Sequence, residues 1–295
     1  MPPSMGHPNG CHPSEKTGLI RSKSGLHERL TMCQLLGLNC NHPTDVTFSF
    51  SGFAMRGGIT DQHQDGWGIA FFEGTEEDRG LRHFVDHLPA SSSPVAELIR
   101  RYPIKSRHVI AHIRKATQGP VALENCHPFV RELWGRYWVF AHNGNLVDYA
   151  PHLHGNFRPV GDTDSERAFC WLMQELAKSH ASMPSLNELS ITLQELLPQV
   201  AQHGTFNCLL SNGQALWAHA STSLYFVQRQ HPFQHATLAD QDLSIDFAQL
   251  AQVDDRVAVV VTAPLTTDEV WTPFEPGELR LFVDGSQRPI ARVGL

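Results

Sequence analysis

The chain has 295 residues, enough for one large domain or two small ones, and 41% of them are hydrophobic, enough to bury a full core. Its 23 basic and 30 acidic residues leave a formal charge of −7, which argues against nucleic acid or an anionic membrane as the main partner. No run of about 18 apolar residues offers a membrane-spanning helix, and six cysteines without a CxxC pair do not make a disulfide framework, so a reduced, cytoplasmic protein is expected.

Residues 1–31 are rich in Pro, Gly, Ser and His, carry Lys and Arg without an apolar core, and show no periodicity. They read neither as a secretory signal nor as folded structure. Regular structure is expected from Cys33-Gln34-Leu35-Leu36-Gly37-Leu38, a strand, followed by a turn or helix start at Pro43-Thr44-Asp45. Residues 46–55 mix apolar and small side chains without a clear period, and Arg56 to Gln64 is polar and contains Gly, as loops are. Gly66–Phe72 and Leu81–Asp86 pair as a strand hairpin. Ser93-Pro94 opens a helix to about Arg101, with a Ser cap, Pro in the first turn and Val95, Leu98 and Ile99 on one face.

His108–Thr117 alternates as a strand, and Tyr137–Ala141 is another that ends at Asn143-Gly144. Two capping boxes, Thr163 with Glu166 and Ser185 with Glu188, start two helices, the second expected to kink or end early at Pro198. Phe206–Leu210 and Ala215–Ala220 read as a hairpin about a two-residue Asn212-Gly213 turn, and Leu224–Gln228, Arg256–Thr262 and Glu278–Asp284 as further strands. The order of strands, two helices, then strands implies an α+β fold of two antiparallel sheets between helix layers. The i,i+4 histidine pairs His83/His87 and His108/His112 lie in strand segments, and His152/His154 lie in a loop, so no metal site is expected.

Four segments carry the chemistry: Met32-Cys33, His112-Ile113-Arg114-Lys115-Ala116-Thr117, His142-Asn143-Gly144 and Asp162-Thr163-Asp164-Ser165-Glu166. Each has a plain structural reading. Cys33 alone is a buried cysteine at a strand start. Asn143-Gly144 alone is a turn, like Asn212-Gly213. Arg114 alone caps a strand, and Asp164 alone favours a helix N-terminus.

In this order, the four segments resemble the glutamine site of a class II glutamine amidotransferase, an N-terminal-nucleophile enzyme, and the similarity covers residues 32–290. It runs closest to the stand-alone type, which consists of the glutaminase domain without a fused synthase. The resemblance implies the four-layer αββα sandwich of the N-terminal-nucleophile hydrolases. It implies Cys33 as nucleophile with its own free α-amino group as base, and Asn143 and Gly144 as oxyanion hole. It also implies Arg114 with Thr117 on the substrate α-carboxylate and Asp164 on the α-ammonium, with Asp162 as fallback. No cofactor or metal is implied; the ligand is glutamine or a γ-glutamyl compound, and an ammonia-accepting synthase is conceivable. Residues 1–32 would then be an extension outside the mature protein, with the domain at 33–295, since translation from Met32 gives Met-Cys directly.

Two segments depart from the family pattern. Gln62 and His63 stand where many members carry an arginine before the Asp65-Gly66 turn, and Lys115 stands where an aromatic is common. His127 of Glu124-Asn125-Cys126-His127-Pro128 reads as structural. Three alternatives remain open: a γ-glutamyl hydrolase for larger amides or peptides, a Cys33–His127–Asn143 thiol hydrolase that needs no free amine, and a non-catalytic glutamine-binding domain.

Overall fold

A computed structural model of the protein describes residues 33–74, 79–102 and 104–291. The N-terminal extension expected to be disordered lies outside these residues. Strand β1 spans Gln34–Asp45 and leads into helix α1, Thr47–Met55. Strands β2 (Trp67–Glu73) and β3 (Gly80–Asp86) form a hairpin, followed by α2 (Pro94–Arg101), β4 (Lys105–Ile113), β5 (Phe129–Leu133) and β6 (Arg136–Leu146). Helices α3 (Asp164–Ser179) and α4 (Leu186–Ala201) precede β7 (Gly204–Ser211), β8 (Leu216–Ala220) and β9 (Tyr225–Gln230). The short β10 (His235–Thr237) and β11 (Ser244–Asp246), then β12 (Arg256–Val261), β13 (Thr272–Pro273), β14 (Glu278–Val283) and β15 (Ser286–Arg288) complete the described chain.

Among the described residues β10 and β11 pair as a small two-stranded sheet, and two large antiparallel sheets result, of seven strands in the order β13-β9-β12-β1-β4-β2-β3 and of six in the order β15-β14-β8-β7-β6-β5. Strand alternation divides the apolar residues into three cores. Leu36, Leu38 and Cys40 of β1 point outward to Phe50 and Phe53 of α1 and Ala96 and Ile99 of α2. Trp138 and Phe140 of β6 point outward to Phe169 and Leu172 of α3 and Leu193 of α4. Between the sheets, Leu35, Ile110 and Val260 of one face Val139, Leu209 and Ala218 of the other. This is the four-layer αββα sandwich that the resemblance implies. All three cores are built from residues of the segment that begins at Cys33. Gly37 lets the sheets close together: a Cβ there would stand 3.0 Å from both Leu209 and Leu216.

Several local expectations shift. Residues 47–55 form a helix without a side-chain cap, because Ser49, Phe50, Gly52, Phe53 and Ala54 are buried and no polar face marks the period. The strand through Pro43-Thr44-Asp45 continues past a register shift instead of turning. The strand that ends at Ile113 leaves 114–117 as a loop, and β6 runs through Asn143-Gly144 instead of stopping there. Helix α4 passes Pro198, which sits in its last turn and therefore removes one late hydrogen bond without stopping the helix. The β7–β8 connection spans four residues, 212–215, since Ser211 pairs with Leu216. The Ser185–Glu188 box is complete, whereas Thr163 caps Glu166 N and the Glu166 carboxylate turns to Val160 N, Gly161 N and Arg131.

One buried ion pair ties the front of the fold together. Arg56, with its side chain 8% exposed, pairs with Asp240 at 2.7 Å and donates to the carbonyls of Ala263 (2.8 Å) and Pro264 (2.6 Å). Asp240→Ala leaves that guanidinium buried without its counter-charge and is expected to cost about 3–5 kcal/mol, read from urea unfolding; a loss under about 1 kcal/mol, the size of an exposed pair, would contradict this role.

Candidate active site

Cys33 immediately precedes β1, whose antiparallel register with β4 sets Gln34 opposite Ile113. The loop after β4 therefore lies beside Cys33, and Lys115 grips the sulfur with its backbone: its N–H donates to Sγ at 3.1 Å and its carbonyl accepts from Sγ at 3.2 Å. The thiol is 7% exposed. Burial pushes its pKa up to about 11, against the Lys115 N–H bond and the Arg114 charge, which pull it down, while Asp164 adds to the rise. Both charged side chains of the expected site thus act on this sulfur.

Asn143 comes from the other sheet. Its side-chain amide donates to the Cys33 carbonyl and, at 3.3 Å, to Thr262 Oγ1, which also accepts from Leu35 N at 2.8 Å. A carbonyl can only accept, so the amide nitrogen must face Cys33. Asn143 Oδ1 is buried and has no hydrogen-bond partner among the described residues. The next residue has to be glycine: a Cβ on Gly144 would lie 1.8 Å from the Thr205 carbonyl oxygen and 2.6 Å from His142 Nε2.

Arg114 is 2% exposed and has its terminal N–H groups spent on backbone carbonyls. Nη1 donates to Asp65 (3.4 Å) and Pro120 (3.0 Å), and Nη2 to Gln118 (2.9 Å) and Gly119 (3.2 Å). The guanidinium is the hub of its own loop rather than an open fork. Asp65 completes the loop by accepting from Ala116 N at 2.8 Å, so the turn that matched the family pattern less closely still braces the site. Gln118 laces the same loop to β6 through Asn145 Oδ1 (2.8 Å) and the Leu146 carbonyl (2.9 Å). Thr117 is exposed and makes no hydrogen bond among the described residues.

Asp164, in the first turn of α3, is 4% exposed. Its Oδ2 accepts from Leu146 N at 2.7 Å, which ties the helix to the end of β6; Oδ1 lies 3.4 Å from Ser165 Oγ. Asp162 lies in the loop before the helix, where its N–H donates to Asn125. His127 is buried, its ring lies tilted against His112 with centroids 4.1 Å apart, and its ring nitrogens bond neither Cys33 nor any other described residue. The structure therefore supplies no Cys33–His127 pair.

The structure thus bonds Asn143 to the Cys33 carbonyl and brings the charges of Arg114 and Asp164 to bear on the Cys33 sulfur, whereas Thr117 is exposed and bonded to none of them. Thr262, Ser165 and the Lys115 backbone belong to the same arrangement and carry no sequence signal of their own; Thr262 lies 227 positions from the residue it anchors.

Residues 32–293 match the family model described as glutamine amidotransferases class-II. The chain is 51% identical over 256 residues to a Haemophilus influenzae protein, covering 87% of this chain and 86% of that one. It is 49% identical over 257 residues to YafJ of Escherichia coli, covering 87% and 99%. Both carry provisional glutamine amidotransferase names. A 2.0 Å crystal structure of a Pseudomonas aeruginosa protein, itself named only as a predicted glutamine amidotransferase, superposes with a TM-score of 0.69 at 40% identity over 86% of this chain and 99% of that one. A class II domain protein of Silicibacter pomeroyi shares the fold at a TM-score of 0.52 and 20% identity. The chain belongs to the class II glutamine amidotransferases.

Proposed function

We propose that the protein hydrolyses the side-chain amide of glutamine through Cys33 once the α-amino group of that residue is free. The observation that carries this reading is the meeting of Cys33 and Asn143 from opposite sheets, with Arg114 and Asp164 both biasing the thiol. While Met32 remains attached, the Cys33 nitrogen is an amide and cannot act as a base. A thiol with a pKa near 11 is then ionised to only about one part in ten thousand at neutral pH. A free α-amine, with an ordinary pKa near ~8, supplies the missing base. It also supplies donors of the kind that Asn143 Oδ1 lacks.

The reaction balances with residues of this chain. The amine takes the Cys33 proton as sulfur bonds to the amide carbon, and the charge that develops on the carbonyl oxygen falls to the Gly144 N–H and to the Asn143 amide, which gives up its long 3.3 Å bond to Thr262 Oγ1 to reach it. The amine returns the proton to the leaving nitrogen, which departs as ammonia. Water, deprotonated by the same amine, then cleaves the γ-glutamyl thioester to glutamate and free thiol. Asp164 takes the substrate ammonium. Arg114 contributes positive charge and an ordered loop to carboxylate binding, since its terminal N–H groups are already paired.

Ammonia release from glutamine is expected from a chain that begins at Cys33, and not from the 295-residue chain or from Cys33→Ala in the short form. Asn143→Ala in the short form should lower kcat by about a hundredfold or more. Activity in Cys33→Ala sinks the assignment.

One observation favours a second substrate class. Lys115, whose backbone holds the sulfur, is half-buried, and its ammonium has no ion pair or hydrogen bond among the described residues. A γ-glutamyl dipeptide presents a carboxylate on the leaving side, where glutamine has only ammonia. If Lys115 meets it, Lys115→Met lowers kcat/KM for γ-glutamylglycine by about fivefold and leaves the value for glutamine within error; equal effects on both substrates remove this reading.

A further inference from the structure

The Thr205 carbonyl can only accept a hydrogen bond, and it lies 3.0 Å from His142 Nε2. That nitrogen therefore carries the proton. Burial pushes His142 below its ordinary pKa, against the opposing effects of Asp164 and the Thr205 bond, so the ring is neutral and its Nδ1 is an acceptor. Ser165 Oγ stands 2.8 Å from Nδ1 and 3.4 Å from Asp164 Oδ1. A hydroxyl has one proton for these two acceptors, and the shorter contact takes it. Asp164 Oδ2 is already bonded to Leu146 N. Oδ1 is thereby left without a donor among the described residues, although Asp164 is almost wholly buried.

We infer that His142 is a positioning residue for substrate binding: it draws the Ser165 proton away from Asp164 Oδ1 and so keeps that oxygen open for the substrate ammonium. This deepens the proposed reading of Asp164 and rests on it. The surroundings hold the ring in this orientation. His112 Nε2 lies 3.1 Å from the His142 carbonyl oxygen, and Phe206 packs on the ring at 4.9 Å. His112 on β4 and His127 ahead of β5 are both pushed down by burial, which leaves Asp164 as the nearby charge. An ammonium at Oδ1 then meets an unshared carboxylate oxygen in a buried site, where a charge-assisted bond is strong.

The test is non-additivity in the form that begins at Cys33, which holds all three cores. His142→Ala removes the acceptor, so the Ser165 hydroxyl turns to Asp164 Oδ1 and KM for glutamine rises about tenfold, more than kcat falls. Adding Ser165→Ala to that variant removes the competing proton and brings KM back toward the wild type. A purely structural role gives the opposite, a double variant no better than His142→Ala, and that result overturns the inference. His142→Gln, whose amide can donate to Thr205 and accept from Ser165, should keep KM near the wild type. Nitrogen-15 NMR of the intact 295-residue chain reads the tautomer directly: a neutral His142 with bare Nδ1 supports the inference, and protonated Nδ1 overturns it. If the unsubstituted form that begins at Cys33 releases no ammonia from glutamine, the proposed function fails, while the tautomer measurement still decides this one.

Discussion

The amide of Asn143 bonded to the carbonyl of Cys33 is the contact on which the candidate site depends, because it joins the two sheets at the proposed nucleophile. Cys33 leads into the central strand of the seven-stranded sheet, and Asn143 stands in β6 of the other. Their meeting requires the sheets to pack closely and in register. Gly37 permits the approach, the inner core of Leu35, Ile110, Val139 and Leu209 fixes the register, and Thr262 Oγ1 accepts from both Asn143 and Leu35 N, two residues past Cys33. A slip of one residue in β1 would turn Leu35 out of the inner core and carry Cys33 away from both Asn143 and Lys115.

The same burial that makes the site accurate makes its thiol unreactive. Cys33 is enclosed by the Lys115 backbone and faces a nearby carboxylate, so its proton is held tightly. A general base outside the residue would have to reach a closed pocket, and the buried imidazoles do not: His127 bonds nothing described, and His112 and His142 are turned to backbone and Ser165. An amine on the cysteine itself needs no access. Under the proposed mechanism this is the reason for nucleophile and base to share one residue, and the state of the Cys33 nitrogen is the point on which activity would turn.

What the sequence shows of this fold is what local chemistry decides. Ser93 and Ser185 mark their helices because a cap and its N–H partners lie within four residues. Strand alternation through Leu35 and Leu36 already separates an inner from an outer core. Helix α1 is hidden because it is buried on several sides and has no cap. Asn143-Gly144 and Asn212-Gly213 are the same dipeptide with opposite fates: the first lies inside a strand because Thr205 of β7 passes within reach of Gly144, and the second turns a hairpin. Cys33, Asn143, Arg114 and Asp164 are legible through their family pattern. The guanidinium partners of Arg114 are backbone carbonyls, which no side-chain pattern records, so a closed loop hub stands where an open fork was expected. Thr262 and Ser165 act only through what the fold brings beside them.

The most direct test of the central claim is the mass of the enzyme caught during turnover. A chain that begins at Cys33 is mixed with excess glutamine, quenched in acid within a fraction of a second, digested and read for a γ-glutamyl adduct. The account predicts that adduct on the peptide beginning at Cys33, lost on treatment with hydroxylamine as a thioester should be, and none on the chain that retains Met32. An adduct on another residue, or equal labelling of Cys33 with its nitrogen still in a peptide bond, would contradict it.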